Sequence, residues 1–305
     1  MQKILITGAN GLLGQKLVYM LLKNKNIQLI ATSKDENRIL EKSGYTYESL
    51  NICNKSEVEK IFFKHLPDVV INTAAMTNVD ACETQKEECF LLNVTAVQNM
   101  IDTIQQSKNK LRDSHFIHLS TDFIFDGEAG PYKETDIPNP LSYYAWSKNE
   151  SEKLLQKSEI KWAILRTIII YGIVDNMSRS NIVLWAKDAL SKGQKINVVD
   201  DQFRAPTLAE DLAQACINCA NKGATGVYHV SGKDIMSILE LVYAVADFYK
   251  LDKTFVHPIK SNTLNQAAKR PPRTGFILDK AIRELDYRPH SFLEGLAILE
   301  SQLKK

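Results

Sequence analysis

The chain opens with MQKILITGANGLLGQKL (residues 1–17), in which a short apolar run leads into three glycines spaced three apart, Gly8, Gly11 and Gly14. In a strand–turn–helix unit, the first glycine permits a tight turn and the second lets the backbone approach a phosphate. The third glycine allows close packing of helix on strand. The helix N-terminus then faces the phosphate with its partial positive charge. Because a plain turn into a helix has the same pattern, the rest of the chain must decide between the two.

The first half of the chain alternates short β-rich runs with longer helical patterns. The helical patterns begin near Gly11, Lys55, Asp80 and Tyr143. This order predicts an α/β fold with a doubly wound parallel sheet, helices lying on both of its faces. In this context the glycine loop is interpreted as a dinucleotide-binding loop. The predicted strands are KILIT, IQLIAT, TYESL, DVVINTA, HFIHLST and WAILRT.

The second half is less regular and predicts a smaller C-terminal α/β domain that supplies a substrate wall. Helices are expected near 181–192 and 208–221, over SILELVYAVADFY and over FLEGLAILESQL; strands are expected at 195–199 and over VYHVSG. The predicted nucleotide-binding domain covers residues 1–170 plus about 206–222. The predicted substrate domain covers about 171–205 and 223–305.

The composition is that of an ordinary globular chain: of 305 residues, 44% are hydrophobic and 24% charged. The net charge of +2 argues against nucleic acid as a partner of the whole molecule. No uncharged stretch approaches the ~20 residues of a membrane span, and no signal peptide is readable, so we expect a cytoplasmic protein without membrane contact. Five scattered cysteines make a disulfide framework unlikely, and Cys216 and Cys219 are expected to be small buried residues and not metal ligands.

The end of the second predicted strand, IATSKDENR, bears on the choice of dinucleotide. An acidic residue there would bind a ribose 2′-hydroxyl and favour NAD. The residues present are Ser33 and Lys34, with Arg38 close behind, and these suit a 2′-phosphate. Asp35 follows one residue later and keeps NAD open as the alternative. The sequence therefore favours NADP.

Three stretches fit the pattern Tyr-x-x-x-Lys, and only Tyr144/Lys148 follows the fifth predicted strand, whose end carries LSTDFIFDG. Ligands of open α/β sheets bind beyond the carboxyl ends of the strands, so this pair is the candidate. A tyrosine has a pKa near ~10, and a lysine ammonium one helical turn away lowers it toward neutral pH. Thr121 offers a hydroxyl to polarise a substrate carbonyl. Its neighbour Ser120 should face away, because strand side chains alternate.

Seven segments in this order resemble the extended short-chain dehydrogenase/reductases, and within them the dTDP-4-dehydrorhamnose reductase family. The resemblance covers essentially the whole chain, and the segments are TGANGLLG, NTAAMTNVDACE, LSTDFIFDG, YAWSK, LRTIIIYG, DQFRAPT and RPPRTGF.

The resemblance implies a Rossmann domain, a smaller domain for a nucleotide sugar, and NAD(P)H-dependent reduction of the 4-keto group of a nucleotide-linked 6-deoxysugar. The six histidines show no metal-ligand spacing, so we expect no metal site, and the sequence leaves a homodimer open. The catalytic set implied by the resemblance is Thr121, Tyr144 and Lys148. Its implied cofactor contacts, besides Tyr144 and Lys148, are Gly8, Asn10, Gly11, Leu12, Leu13, Ser33, Lys34, Arg38, Asn51, Ile52, Ala74, Ala75, Thr77 and Asn93. Its implied substrate contacts are Asp122, Gln202, Pro206 and Arg270, and Phe123 and Arg204 are further candidates in the same segments.

The chain departs from the family's usual residues near the expected sugar. Phe123 stands in place of a customary tyrosine and Arg204 in place of a glycine. An arginine there could clasp a diphosphate through two parallel hydrogen bonds, or it could block the pocket. Two other functions remain open at this point. One is epimerisation or dehydration of a sugar nucleotide with tightly held NAD, and the other is a non-catalytic NADP-binding regulatory subunit.

Overall fold

The structure, a computed structural model, describes residues 1–177 and 180–304. Six predicted strands of the first half form where the apolar runs placed them. The strands in chain order are β1 Gln2–Thr7, β2 Ile27–Ser33, β3 Thr46–Ser49, β4 Val69–Asn72, β5 His115–Thr121, β6 Lys161–Thr167, β7 Ile170–Tyr171, β8 Ile196–Val199, β9 Phe203–Arg204, β10 Thr207–Leu208, β11 Gly226–His229, β12 Met236–Ser237 and β13 Val256–Ile259.

Seven of these strands form one parallel sheet in the order β11-β6-β5-β4-β1-β2-β3. The central strand β4 is buried at every position, which is why DVVINTA lacks the alternation of a half-exposed strand. The strand predicted over VYHVSG is β11, and it pairs with β6 at the edge of this sheet. Residues 226–229 therefore lie with the large sheet, although the sequence division assigned them to the substrate domain. Their pairing partner lies some sixty residues earlier in the chain and leaves no local signal.

Helices cover both faces of the sheet, as predicted. Their starts near Gly11, Lys55 and Tyr143 agree with the sequence, and side-chain caps from Asn54 and Ser142 explain two of them. The helices are α1 Leu12–Leu21, α2 Lys55–His65, α3 Val79–Thr84, α4 Lys86–Phe90, α5 Ala96–Gln105, α6 Tyr143–Lys157, α7 Ile182–Ser191, α8 Ala209–Lys222, α9 Ile238–Tyr249, α10 Asp279–Leu285 and α11 Phe292–Leu303.

Two apolar cores lie against the two faces of the sheet, and a third fills the smaller part of the molecule. One face packs Leu17 of α1 and Cys216 and Cys219 of α8, and both cysteines are fully buried, as expected. The other face packs Phe62 of α2 and Met100 of α5. The third core gathers α7, α9 and α11 around the pair of β8 and β13. Among the described residues no helix is long and apolar enough to cross a membrane.

Candidate active site

The glycine loop connects β1 to α1 in the way the spacing predicts. Gly8 has a left-handed φ of +69°, and a Cβ there would lie 2.8 Å from the backbone nitrogen of Ala74. A Cβ on Gly14 would lie 2.4 Å from the carbonyl oxygen of Gly8. Gly11 is the N-cap of α1 and has no side-chain cap. The free N–H groups of this helix start face the space above the loop, which is the cradle that a pyrophosphate occupies.

A cleft of about 660 Å³ opens at the carboxyl edge of the sheet, between the glycine loop and the smaller part of the molecule. It brings together elements that are far apart in the sequence: the loop after β1, the loop after β4, the end of β5 and the start of α6. Twelve of the predicted site residues line it, namely Asn10, Gly11, Leu12, Leu13, Ala74, Ala75, Thr77, Thr121, Asp122, Phe123, Tyr144 and Lys148.

The Tyr144 and Lys148 side chains lie on one face of α6, one turn apart, and both are buried. Burial raises the pKa of the Tyr144 phenol well above its usual value, and a hydrogen bond with Thr121 partly opposes this. Burial lowers the pKa of the Lys148 ammonium to about 8, and the Glu152 carboxylate opposes this. In the free protein near neutral pH, Tyr144 is therefore protonated and Lys148 is largely cationic.

The Thr121 hydroxyl belongs to a hydrogen-bond network that reaches the C-terminal part of the chain. It accepts from the backbone N–H of Phe123 at 3.2 Å and donates to Asp122 Oδ1 at 3.1 Å. The other carboxylate oxygen of Asp122 accepts from the Thr274 hydroxyl and lies 3.9 Å from Nε of Arg204. Burial raises the pKa of Asp122, and the Arg204 charge and the two hydroxyls partly oppose this.

The end of β2 lies beside the glycine loop, as an adenosine site requires. The Asn10 side chain donates to the backbone carbonyl of Glu36 at 2.8 Å and accepts from the backbone N–H of Arg38 at 3.0 Å. A second, open pocket at this end is lined by Lys34, Asp35, Glu36, Asn37, Tyr47 and Ser49. Lys34 is exposed there, whereas the Arg38 guanidinium is 3.5 Å from the Asp35 carboxylate. Ser33 is half-buried at the end of the strand.

Besides Gly8 of the loop and Ser33, Lys34 and Arg38 at the end of β2, three more predicted cofactor residues lie outside the cleft lining. Asn93 is buried and accepts from the Met76 backbone N–H at 2.8 Å, so it holds the loop after β4 in place from behind. Its amide also donates to the Ser147 hydroxyl of α6 at 3.0 Å. Asn51 and Ile52 follow β3, where the Asn51 side chain accepts from the Cys53 backbone N–H.

Arg204 is not placed to clasp a diphosphate, which corrects that expectation. Its side chain is 1% exposed, and its guanidinium donates to the carbonyl oxygens of Phe203 and Pro271, each at 2.7 Å. Cζ of the guanidinium lies over the Phe123 ring, 5.3 Å from the ring centroid. The arginine and the phenylalanine that depart from the family pattern therefore pack on one another, and the Arg204 donors are already used within the protein.

The other predicted substrate residues are also held by protein contacts. Arg270 binds the Asp80 carboxylate through both terminal nitrogens, at 3.1 and 2.6 Å. This pair joins the loop 268–273 to the start of α3 beside the cleft. Gln202 is buried and lies 3.5 Å from the Arg204 guanidinium, and Pro206 is buried against Gly232.

Two residues in or below the cleft were not assigned to the site by the sequence analysis, and its expectation that Ser120 faces away is wrong. Ser120 lines the cleft together with Thr121, because the strand ends there and the chain turns into the 3₁₀ turn Asp122–Ile124. Its buried hydroxyl has no hydrogen-bond partner among the described residues. His118 of β5 is buried, and its imidazole contacts Lys148 at 3.2 Å. Only the fold shows that contact.

Residues 1–304 match the family described as the RmlD substrate binding domain. The chain belongs to this family. The resemblance to the dTDP-4-dehydrorhamnose reductases is thereby confirmed, and so is the predicted α/β fold with its parallel sheet.

Relatives and solved structures match over nearly the whole chain. A dTDP-4-dehydrorhamnose reductase of Aggregatibacter actinomycetemcomitans is 32% identical and covers 97% of both chains. The methionine adenosyltransferase 2 subunit beta of Bos taurus is 29% identical over 88% of this chain and 78% of its own. The crystal structure of a dTDP-4-dehydrorhamnose reductase from Clostridium acetobutylicum is 29% identical, covers all of both chains and has a TM-score of 0.86. A Bacillus anthracis reductase, solved in complex with NADP, is 25% identical over 99% of this chain and 100% of its own, with a TM-score of 0.81.

Proposed function

We propose that this protein is an NADPH-dependent reductase of the 4-keto group of a nucleotide-linked 6-deoxysugar, of the dTDP-4-dehydrorhamnose reductase type. One observation carries the proposal: a single cleft joins the glycine cradle to a buried tyrosine, lysine and threonine at the carboxyl edge of the sheet. The same cleft extends to Phe123 and Asp122, where the sugar would lie.

The residues of the cradle fit a dinucleotide. A side chain on Gly8 or Gly14 would collide with backbone atoms within 3.0 Å, so these two glycines let the loop and the start of α1 pack closely, with the free N–H groups of the helix start left facing the cleft. When bound, the nicotinamide ring would supply the hydride for the keto carbon. Lys34 and Ser33 lie where a 2′-phosphate would be held, and NADP is the cofactor that we propose.

Reduction of a ketone also requires a proton, and Tyr144 is the donor in this proposal. Burial keeps its phenol protonated before reaction, which is the state that an acid must have. The Lys148 ammonium one turn away stabilises the phenolate that is left, and it also anchors the nicotinamide ribose. Thr121, beside the phenol, orients the carbonyl oxygen. Asp80 and Arg270 hold the substrate side of the cleft together.

The proposal is tested by the loss of NADPH absorbance when the protein is mixed with dTDP-4-keto-L-rhamnose. We expect turnover with this substrate and a weaker rate when NADH replaces NADPH. Stoichiometric NAD in the purified protein, with no net oxidation of added NADPH, would instead indicate an epimerase or dehydratase. NADPH binding without turnover of any 4-keto sugar, together with a stable complex with an enzyme, would indicate a regulatory subunit. The expected cytoplasmic location and a homodimer stay predictions.

Replacing Lys34 with alanine tests the NADP assignment separately. A charge-assisted hydrogen bond to a phosphate contributes about 1.5–3 kcal/mol, so we expect at least about tenfold weaker NADPH binding. NADH lacks the 2′-phosphate, and its affinity should change less than about twofold. Fluorescence titration of both dinucleotides measures this, and Lys25→Ala, an exposed lysine at the opposite end of β2, is the matched control. Equal losses for NADPH and NADH would contradict the assignment.

A further inference from the structure

His118 lies directly beneath Lys148, although the proposed chemistry gives it no role. Its side chain is 1% exposed, and its Nε2 atom is 3.2 Å from Nζ of Lys148. It comes from β5, three residues before Thr121. The imidazole therefore connects the interior of the sheet to the lysine that the reaction needs.

The hydrogen bonds around His118 determine which of its nitrogens carries the proton. The Thr7 hydroxyl donates to Oδ1 of Asn72 at 2.6 Å, and in this orientation of the amide the nitrogen of Asn72 lies 3.0 Å from Nδ1 of His118. An amide nitrogen only donates, so Nδ1 is the acceptor and the proton lies on Nε2. The Ser151 hydroxyl donates a hydrogen bond to the Lys148 carbonyl at 2.7 Å. Its oxygen lies 3.0 Å from Nε2 of His118 and accepts a hydrogen bond from the Nε2–H group.

Lys148 has few groups that favour its ammonium form. Within residues 1–177 and 180–304, no carboxylate forms an ion pair with it, and the buried Glu152 carboxylate, one turn further along α6, is bound by Arg166 at 2.7 Å. The Cys89 thiol faces Lys148 from α4 and, if ionised, would favour the ammonium. The Nε2–H of His118 acts the other way. An N–H group that points at an ammonium repels its positive charge, whereas the same N–H group can donate a hydrogen bond to the lone pair of a neutral amine.

Resting on the proposed function, we propose that His118 is a positioning residue that presents an N–H to Lys148 and so holds this side chain close to the balance between its ammonium and amine forms. Its burial and its three-partner network fix the orientation of the imidazole, so that the N–H cannot turn away. The lysine can then gain or lose a proton near neutral pH as the cofactor enters and leaves. The Ser151 hydroxyl accepts a hydrogen bond from the same N–H group and thereby weakens the effect of this group on Nζ of Lys148.

Two variants should move the pH dependence in opposite directions. In His118→Gln the amide oxygen can accept from the ammonium, and we expect the alkaline midpoint of kcat/KM to rise by about one pH unit. In Ser151→Ala the Nε2–H is left with Nζ alone, and we expect the midpoint to fall by about half a unit. The wild-type midpoint should lie near the Lys148 pKa of about 8. His115→Gln is the control, since this buried histidine of the same strand has no side-chain partner among the described residues and should leave the midpoint unchanged.

The pH dependence of NADPH affinity is a second measurement of the Lys148 midpoint, and it does not require turnover. Lys148 is expected to bind the ribose in its ammonium form, so NADPH affinity should fall as this group loses its proton. If the wild type reduces no 4-keto sugar, the proposed function fails, and the binding titrations still test His118. Midpoints equal to that of the wild type in both measurements would reduce His118 to a packing role. Shifts of both variants in the same direction would contradict the assigned proton position. Circular dichroism shows whether the His118 variant is folded, and Ser151→Ala keeps the test valid if it is not.

Discussion

Replacing Tyr144 with phenylalanine should lower kcat for the reduction between about a hundredfold and ten-thousandfold, because the variant loses the acid that protonates the keto oxygen. NADPH binding should stay nearly unchanged, since the ring remains and the glycine cradle is untouched. The fold should also persist, because the phenol is buried beside Phe123 and Cys82 and makes mainly apolar contacts there. The measurement is NADPH oxidation with dTDP-4-keto-L-rhamnose, compared with fluorescence titration of NADPH.

Tyr143→Phe is the matched control for this experiment. Tyr143 precedes Tyr144 on the same helix, but its ring packs on Trp146 at 5.0 Å and does not line the cleft. It should retain the wild-type rate. Full activity in Tyr144→Phe would show that the proton comes from elsewhere, and loss of activity in both variants would point to damage of α6 and not to lost chemistry.

Replacing Arg204 with alanine should destabilise the protein by about 3–5 kcal/mol, the usual cost of removing one partner of a buried ion pair. The Asp122 carboxylate would stay buried but would lose the positive charge beside it. The carbonyl oxygens of Pro271 and Phe203 would lose their hydrogen-bond donor. Burial already raises the pKa of Asp122. Urea unfolding measures the loss as a lower midpoint at an unchanged slope.

Arg273→Ala separates this effect from a general loss of positive charge. Arg273 lies on the loop 268–273, next to the residues whose carbonyls accept from Arg204, and is exposed, with its guanidinium 4.9 Å from the Phe203 ring. Its removal should cost far less than that of Arg204. The double variant Arg204→Met/Asp122→Asn should recover part of the stability, because it removes both buried charges and refills the volume. If Arg204→Ala unfolds at the same urea concentration as Arg273→Ala, the buried pair contributes little.

The sequence was sufficient wherever a local pattern carries the structural information. Glycine spacing placed the loop at Gly8–Gly14, and continuous apolar runs marked the buried parallel strands. The position of Tyr144 after the fifth strand distinguished it from two other tyrosine–lysine pairs. Each of these signals spans a few residues, and the physics of turns, strands and helices is local at that scale.

The sequence was insufficient where a side chain meets a distant part of the chain. The sequence left open whether Arg204 would clasp a diphosphate or block the pocket, but the structure shows its guanidinium donating to the distant carbonyls of Pro271 and Pro272. Arg270 meets Asp80 across 190 residues of sequence. The contact between His118 and Lys148 depends on the packing of α6 against β5, which neither segment reveals alone.

The large sheet is completed only by β11, residues 226–229, which covers the outer edge of β6. A chain cut after residue 170 would contain the whole glycine loop and the helix α6 that carries Tyr144 and Lys148, yet five of the seven residues of β6 are buried in the intact fold. Their unpaired backbone groups would be left as an open edge on which other copies could stack. During synthesis the same edge stays unpaired until residues 226–229 have left the ribosome and can pair with β6.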